Sequence, residues 1–254
     1  MFNPARRNRN IGTARRGHGQ NNRLVIPQPT TTSKSYYERL GPYEKLEVTI
    51  NGHLFLFIVE TPRPGSGHAC SVADVKHIIE HIPVVDYGKL KLIILRQPKR
   101  KEEVLSSVWG RLIYSYEFEG DYYPAIILEA VDYSKRLKWK KTLSIQDQQE
   151  FERLKADGHE FVDDGRYFTA ELKPGHVRHT QLYRTLLHEF GHYVHYLEVV
   201  ERRGMEDEEL ECREQRDEDY FKLPGAEKEN FAHKYAANLQ DRLIAQEVIP
   251  FHPM

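Results

Sequence analysis

Leu186-Leu187-His188-Glu189-Phe190-Gly191-His192-Tyr193-Val194 places an H-E-x-x-H pattern inside an apolar run. On a helix, positions four apart lie on one face, so His188 and His192 can reach one metal ion together. Glu189 projects beside them, where a carboxylate can take a proton from a metal-bound water. Five letters alone also fit a surface helix with two spare histidines. The flanking residues argue otherwise. Leu182, Leu186, Leu187, Phe190, Val194 and Leu197 form an apolar surface on the same helix. A core helix carrying two histidines and a glutamate is costly unless those groups have a partner, and a metal ion supplies one.

The 254 residues suffice for one sizeable core, and 39% hydrophobic with 30% charged residues fits a globular chain. Cys70 and Cys212 are too few and too far apart for a disulfide framework, so reduced thiols in a cytoplasmic protein are expected. No run of 18 apolar residues predicts a membrane span, and the N-terminus lacks the apolar segment of a secretory signal. The net charge of -1 conceals an uneven distribution. Residues 1–33 carry Arg6, Arg7, Arg9, Arg15, Arg16 and Arg23 and no acid, so the remainder is acidic. This Arg-, Asn-, Gly- and Gln-rich stretch reads as a disordered basic tail, and 34–254 as a single domain. The tail is either simply solvated or an electrostatic contact for nucleic acid. Aromatic interleaving for base stacking is nearly absent, which keeps the second reading weak.

The domain begins with strands. Leu46–Ile50 and His53–Val59 flank Asn51-Gly52, the strongest short hairpin signal. Ser71 with Asp74 caps a short helix to about His81. His77 and His81 within it share a face but lack a third ligand and read as structural. Leu90–Leu95 is a buried-strand candidate, while residues 101–109 are ambiguous. Arg111–Glu117 and Tyr122–Val131 flank Glu119-Gly120-Asp121 as a second hairpin, and Pro124 predicts that its second strand starts at an edge. Ser144 opens a helix to about Ala156, Asp163-Asp164-Gly165 turns into a strand at Tyr167–Leu172, and the motif helix runs from a Thr180 cap to about Arg202. The acidic stretch 204–219 reads as a solvated helix or linker, and a last helix spans about Ala226–Gln246. The fold class is therefore α+β, a small mixed or antiparallel sheet followed by the motif helix and a closing helix.

A catalytic zinc keeps three protein ligands and one open position. His195 is the nearest extra histidine, but it lies about 10 Å along the axis from His188, too far to share the ion. The last helix offers Glu229, which shares a stripe with Ala232, Tyr235 or Ala236, and Leu239. A glutamate pointing at the core from that face needs a cation, and small Ala232 lets the helix approach closely. Glu227 lies about 160° away from this stripe and faces solvent. His233 follows Glu229 by four positions and lines the same cleft.

His188-Glu189-Phe190-Gly191-His192, followed by Glu229-Asn230-Phe231-Ala232-His233, resembles the gluzincin branch of the zincin metallopeptidases, most closely the lethal-factor-like and Pro-Pro-endopeptidase-like domains. The resemblance covers about residues 180–240. It implies a zincin-like fold with an active-site helix and a C-terminal glutamate-bearing helix. It implies Zn²⁺ on His188, His192 and Glu229, with Glu189 as general base. Position 195 is His where the lethal-factor-like pattern usually has an acid. That branch also uses a tyrosine shortly before the glutamate ligand to steady the oxyanion. Tyr220 precedes Glu229 by nine residues and is the candidate here, with His233 as the other.

The expected activity is zinc-dependent endoproteolysis of a protein or peptide substrate through a metal-activated water. The competing expectation keeps the fold without catalysis: a zincin-like binding or regulatory module contacting a partner protein or nucleic acid. An extended substrate needs an edge strand to lie along, and Tyr122–Val131 and Tyr167–Leu172 are the two candidates. Deleting residues 1–33 is expected to leave the melting temperature and the zinc content of the chain unchanged. Unfolding of the truncated chain, followed by circular dichroism, would show that the tail belongs to the domain.

Overall fold

The computed structural model describes residues 38–100, 102, 109–204 and 210–254. The basic tail, most of the ambiguous stretch 101–109 and residues 205–209 of the acidic stretch lie outside the described residues. Glu38–Met254 forms one compact unit. The class is mixed α+β, with six α-helices and a mixed sheet among the described residues.

The first hairpin is β1 (Tyr43–Ile50) and β2 (His53–Glu60). Asn51 and Gly52 both adopt positive φ, as the two-residue turn demands. A second sheet residue pair, β3 (Ser66–Gly67), precedes helix α1 (Val72–Glu80), which opens on a complete Ser71/Asp74 capping box. His81 turns its Nδ1 onto the His77 carbonyl at 2.8 Å, so this histidine pair is bound up structurally. Strand β4 (Leu92–Arg96) is buried throughout, as a strand covered on both faces must be.

Strands β5 (Gly110–Phe118) and β6 (Asp121–Glu129) form the second hairpin. Five strands pair in the order β1-β2-β4-β6-β5, with β4 parallel to both neighbours. β6 is interior from Ala125 onward, where it pairs with β4, but Asp121–Tyr123 pair with β5 alone, so the strand begins at an edge as Pro124 implies, with β5 the edge strand of the sheet. Ile113 pairs with Ala125 and Tyr116 with Tyr123, so Tyr114 and Ser115 together oppose Pro124. A bulge at that point accommodates a residue with no N–H to give, which is the other place a strand tolerates proline.

A smaller layer follows. β7 (Val131–Asp132) pairs with β3, and β8 (Arg136–Lys140), β9 (Val162–Asp163) and β10 (Tyr167–Glu171) pair in the order β8-β10-β9. β10 is thus central rather than an edge, although β9 covers only Phe168 and Thr169 on that side. Helix α2 (Ile145–Ala156), capped by Ser144, turns the buried Phe151 and Leu154 inward.

The motif helix starts earlier than its sequence suggests. Helical backbone runs without a break from α3 (Pro174–His179), through a wide π-type segment at Thr180–Thr185, into α4 (Leu186–Tyr196) and a second π-type segment at Leu197–Glu201. Pro174 sits in the first turn, where a missing N–H costs nothing. Thr180 is therefore no cap. It is fully buried, donates to Asp157 at 2.8 Å and accepts from His159 at 3.1 Å. Arg184 bonds Asp157 at 2.8 Å and both oxygens of Glu150 at 2.9 Å, so α2 is clamped to the motif helix by polar contacts. The acidic stretch is helical as α5 (Leu210–Lys222), and the closing helix is α6 (Gly225–Ala245). Leu182, Leu186, Leu187, Phe190, Val194 and Leu197 are all buried, in the apolar interior between sheet and helices. Both cysteines are free thiols, and no helix among the described residues is long and apolar enough to cross a membrane.

His159 makes the clamp sensitive to acid. Burial lowers its pKa to about 4, Asp157 pulls it upward, and His176, Arg184 and His179 push it further down. The unfolded chain takes up the same proton near pH 6.5. Between those values the unfolded state binds more protons, so stability is complete above about pH 6.5 and is lost as pH falls towards about 4. His159→Gln is expected to flatten the dependence of melting temperature on pH in that window. Identical slopes for both chains would place the acid-sensitive group elsewhere.

Candidate metal centre

Gly191 determines how close α4 and α6 come. A Cβ built on Gly191 would lie 2.8 Å from both the Cα and the carbonyl oxygen of Ala232. The two backbones touch there, with Ala232 completely buried. Glycine inside a helix costs about 1 kcal/mol relative to alanine, and here the close approach is what that cost secures. One turn before Gly191 sits His188, and one turn before Ala232 sits Glu229, so the pair is brought face to face.

Glu229 Oε2 lies 3.3 Å from His188 Nε2, and Oε1 lies 3.5 Å from His192 Nε2. The three ligand atoms all lie within 4.8 Å of one another. These separations are long for charge-assisted hydrogen bonds, which run about 2.7–2.9 Å. They match the edge of a tetrahedron whose arms are Zn–N or Zn–O bonds of about 2.0–2.1 Å, an edge of roughly 3.3 Å. Two imidazoles and one carboxylate are also a donor set that suits zinc. The residues present therefore fit the ion. His188 Nδ1, on the far side of the ring, is buried with no hydrogen-bond partner among the described residues, so the outer support usual for a metal-bound histidine is not seen there.

Glu229 does not point into sealed core, as its stripe suggests. Its side chain is 55% exposed, at the rim of a cleft. The imidazoles of His188 first and then His192 hold its carboxyl well below the usual carboxylate range, against a smaller opposing effect of burial. Glu227 is exposed, as expected.

Glu189 is 8% exposed and lies in the same cleft wall. Burial raises its pKa, while His188, His192 and the backbone N–H of Leu112 on β5 pull it down. A carboxylate raised by burial is a stronger proton acceptor at neutral pH than a solvated one. The contact with Leu112 also shows that the edge strand β5 runs directly over the motif.

His233 is brought to this group. Its ring lies 4.4 Å from that of His188, its Nε2 is 4.0 Å from Glu229, and burial followed by the charge of His188 lowers its pKa to about 4. Tyr220 is not. It is 1% exposed, its hydroxyl meets Tyr114 Oη at 3.0 Å and the His192 carbonyl at 3.4 Å, and it does not line the cleft. It is packed among Tyr114, Tyr196, His195 and Phe221, near the end of α5 and one short turn before α6 begins. His195 is buried and stacks on Phe231 at 4.4 Å, away from the metal group.

The cleft measures about 1150 Å³ and is walled by the start of β5, by β7 and β8, by α2 and by α6. No family model matches the chain, and no curated protein or solved structure matches it either. Sequence reasoning missed Gly191, Leu112 and the β8 wall. Gly191 left a signal, an interior helix glycine one turn from a ligand. The others depend on strand pairing.

Gly191→Ala is expected to destabilise the chain by about 1–3 kcal/mol, because backbone atoms of Ala232 cannot step aside and overpacking outweighs the gain of about 1 kcal/mol in helix propensity. Zinc affinity should fall with it. Thermal melts and metal titration check both, and a higher melting temperature would show that the helices can part without loss.

Proposed function

We propose that the chain is a zinc-dependent endopeptidase with a zincin-like architecture of the gluzincin type. The observation that carries this is the convergence of His188, His192 and Glu229 to tetrahedral-edge distances with the buried Glu189 alongside, at the wall of an open cleft. A zinc ion bound there supplies a water of near-neutral pKa and a Lewis acid for the scissile carbonyl.

The chain's own residues supply the rest. Glu189 accepts the proton of the attacking water and passes it to the leaving amine. Its burial keeps that proton from being lost to bulk solvent, and Leu112 fixes the carboxylate's orientation. His233, at the cleft wall beside His188, is the group positioned to steady the developing oxyanion. Among the described residues, β5 is an edge of the large sheet and its Leu112 meets Glu189, so the residues flanking the scissile bond lie along β5, leaving the rest of an extended substrate to the other walls of the cleft.

The decisive experiment pairs metal analysis with two variants. Glu189→Gln is expected to retain about one zinc per chain and to lose proteolysis by on the order of 10²–10⁴-fold. Glu229→Ala is expected to lose the zinc. Full activity in Glu189→Gln rules out this carboxylate as the base, and full zinc occupancy in Glu229→Ala rules out this third ligand. Zinc retained by a wild-type chain that cleaves nothing would favour a metal-stabilised binding module instead.

A further inference from the structure

The wall of the cleft facing the metal group from the small sheet has an unusual composition. β8 contributes Arg136, Leu137, Lys138 and Trp139, four successive residues. A strand showing only one face would contribute alternate residues. Four in a row mean that β8 presents its edge to the cleft. Its other side is fully paired with β10, from Arg136 opposite Glu171 to Lys140 opposite Tyr167. As the end strand of its sheet among the described residues, β8 has backbone groups left over for another strand.

The charge on this edge is one-sided. Arg136, Lys138 and Lys140 are the exposed residues of β8. Lys138 joins no ion pair among the described residues. Its ammonium lies 3.9 Å over the Tyr167 ring, with Asp164 the acid that feels its charge. Arg136 meets Glu171 at 2.9 Å in a pair exposed on both sides, which contributes little. The acids elsewhere in the cleft are occupied: Glu129 by Arg96 and Arg111, Glu150 by Arg184 and Arg153, and Asp132 by Lys135. Glu189 and Glu229 belong to the metal group. The cleft lining as a whole balances, with six acids against six bases, but the charges carried by β8 itself are all positive. Between those charges Trp139, backed by Phe151 at 6.0 Å, and Leu137 give an apolar surface, and Trp109 stands across the cleft.

We infer that the β8 edge selects an acidic, extended polypeptide, with carboxylate side chains at alternate positions meeting Arg136 and Lys138 and an apolar side chain between them against Trp139. This rests on the peptidase reading for its consequence, since such a segment is the part of the substrate that places the scissile bond at Glu189. Alternate spacing follows from the strand period. A nucleic acid strand would also meet basic and aromatic groups, but the edge offers backbone hydrogen-bonding groups in strand register, which an extended peptide alone can pair.

The test uses the full zinc-loaded chain and three extended peptides of equal length, with alternate Glu, Gln or Lys around a shared apolar and scissile core. Binding is read by fluorescence anisotropy on Glu189→Gln, and cleavage on the wild type. The acidic peptide is expected to bind and be cut better than the Gln peptide by about tenfold at low salt, and the gap should shrink with added salt. Arg136→Glu combined with Lys138→Glu should invert the order. Arg136→Gln with Lys138→Gln, confirmed folded by its melt, should abolish it. Equal cleavage of all three peptides by every folded chain overturns the inference and leaves the peptidase reading standing. Acidic binding that depends on β8, without any cleavage, supports the docking edge and removes the peptidase reading. A single-stranded oligonucleotide displacing the acidic peptide at lower concentration than the unlabelled peptide itself overturns the inference in favour of nucleic acid.

Discussion

Gly191 against the backbone of Ala232 is the contact on which the metal group depends. Helices in globular proteins usually pack about 8–10 Å apart, held off by their side chains. At a glycine–alanine crossing they come closer, and only then does a glutamate side chain reach from α6 to two histidines on α4. Every ligand distance therefore inherits its accuracy from a contact that contains no ligand. The same closeness leaves Glu229 half exposed at a rim, where the cleft gives access to the site without a path through the core.

A polar cluster inside an apolar helix must be compensated elsewhere. Glu189 loses solvation and recovers part of it from Leu112 and from the two imidazoles. The upstream turns of the helix are held by Arg184, Thr180, Asp157 and Glu150, which satisfy one another in pairs. These contacts and the apolar contacts with the sheet act on opposite sides of the helix.

The local grammar of the fold was readable. Both hairpin turns, the Ser71 and Ser144 caps and the apolar face of the motif helix stand where their residues imply, because each is decided within a few neighbours. That His188, His192 and Glu229 come together was readable too, since helical periodicity sets which residues share a face. Pro124 signals a place where a ladder bond is missing, and both the start of β6, not yet paired with β4, and the bulge supply one. What failed was decided at long range. Thr180 has the chemistry of a cap, but Pro174 starts the helix earlier and leaves the threonine inside, bonded to α2. Tyr220 has the spacing of a cleft residue, yet the end of α5 turns it onto Tyr114. Which strand lies at an edge, and which wall of the cleft is basic, follow only from pairing order.

The placement of Glu229 on α6 also bears on synthesis. A chain emerging from the ribosome folds from its N-terminal side as residues become available. The sheet, the clamp and both histidines can be in place while α6 is still being made. Until Ala232 docks on Gly191 the third donor is absent, and two histidines alone hold a divalent ion weakly. A product truncated before α6 therefore lacks Glu229, and with it the carboxylate that faces His188 and His192.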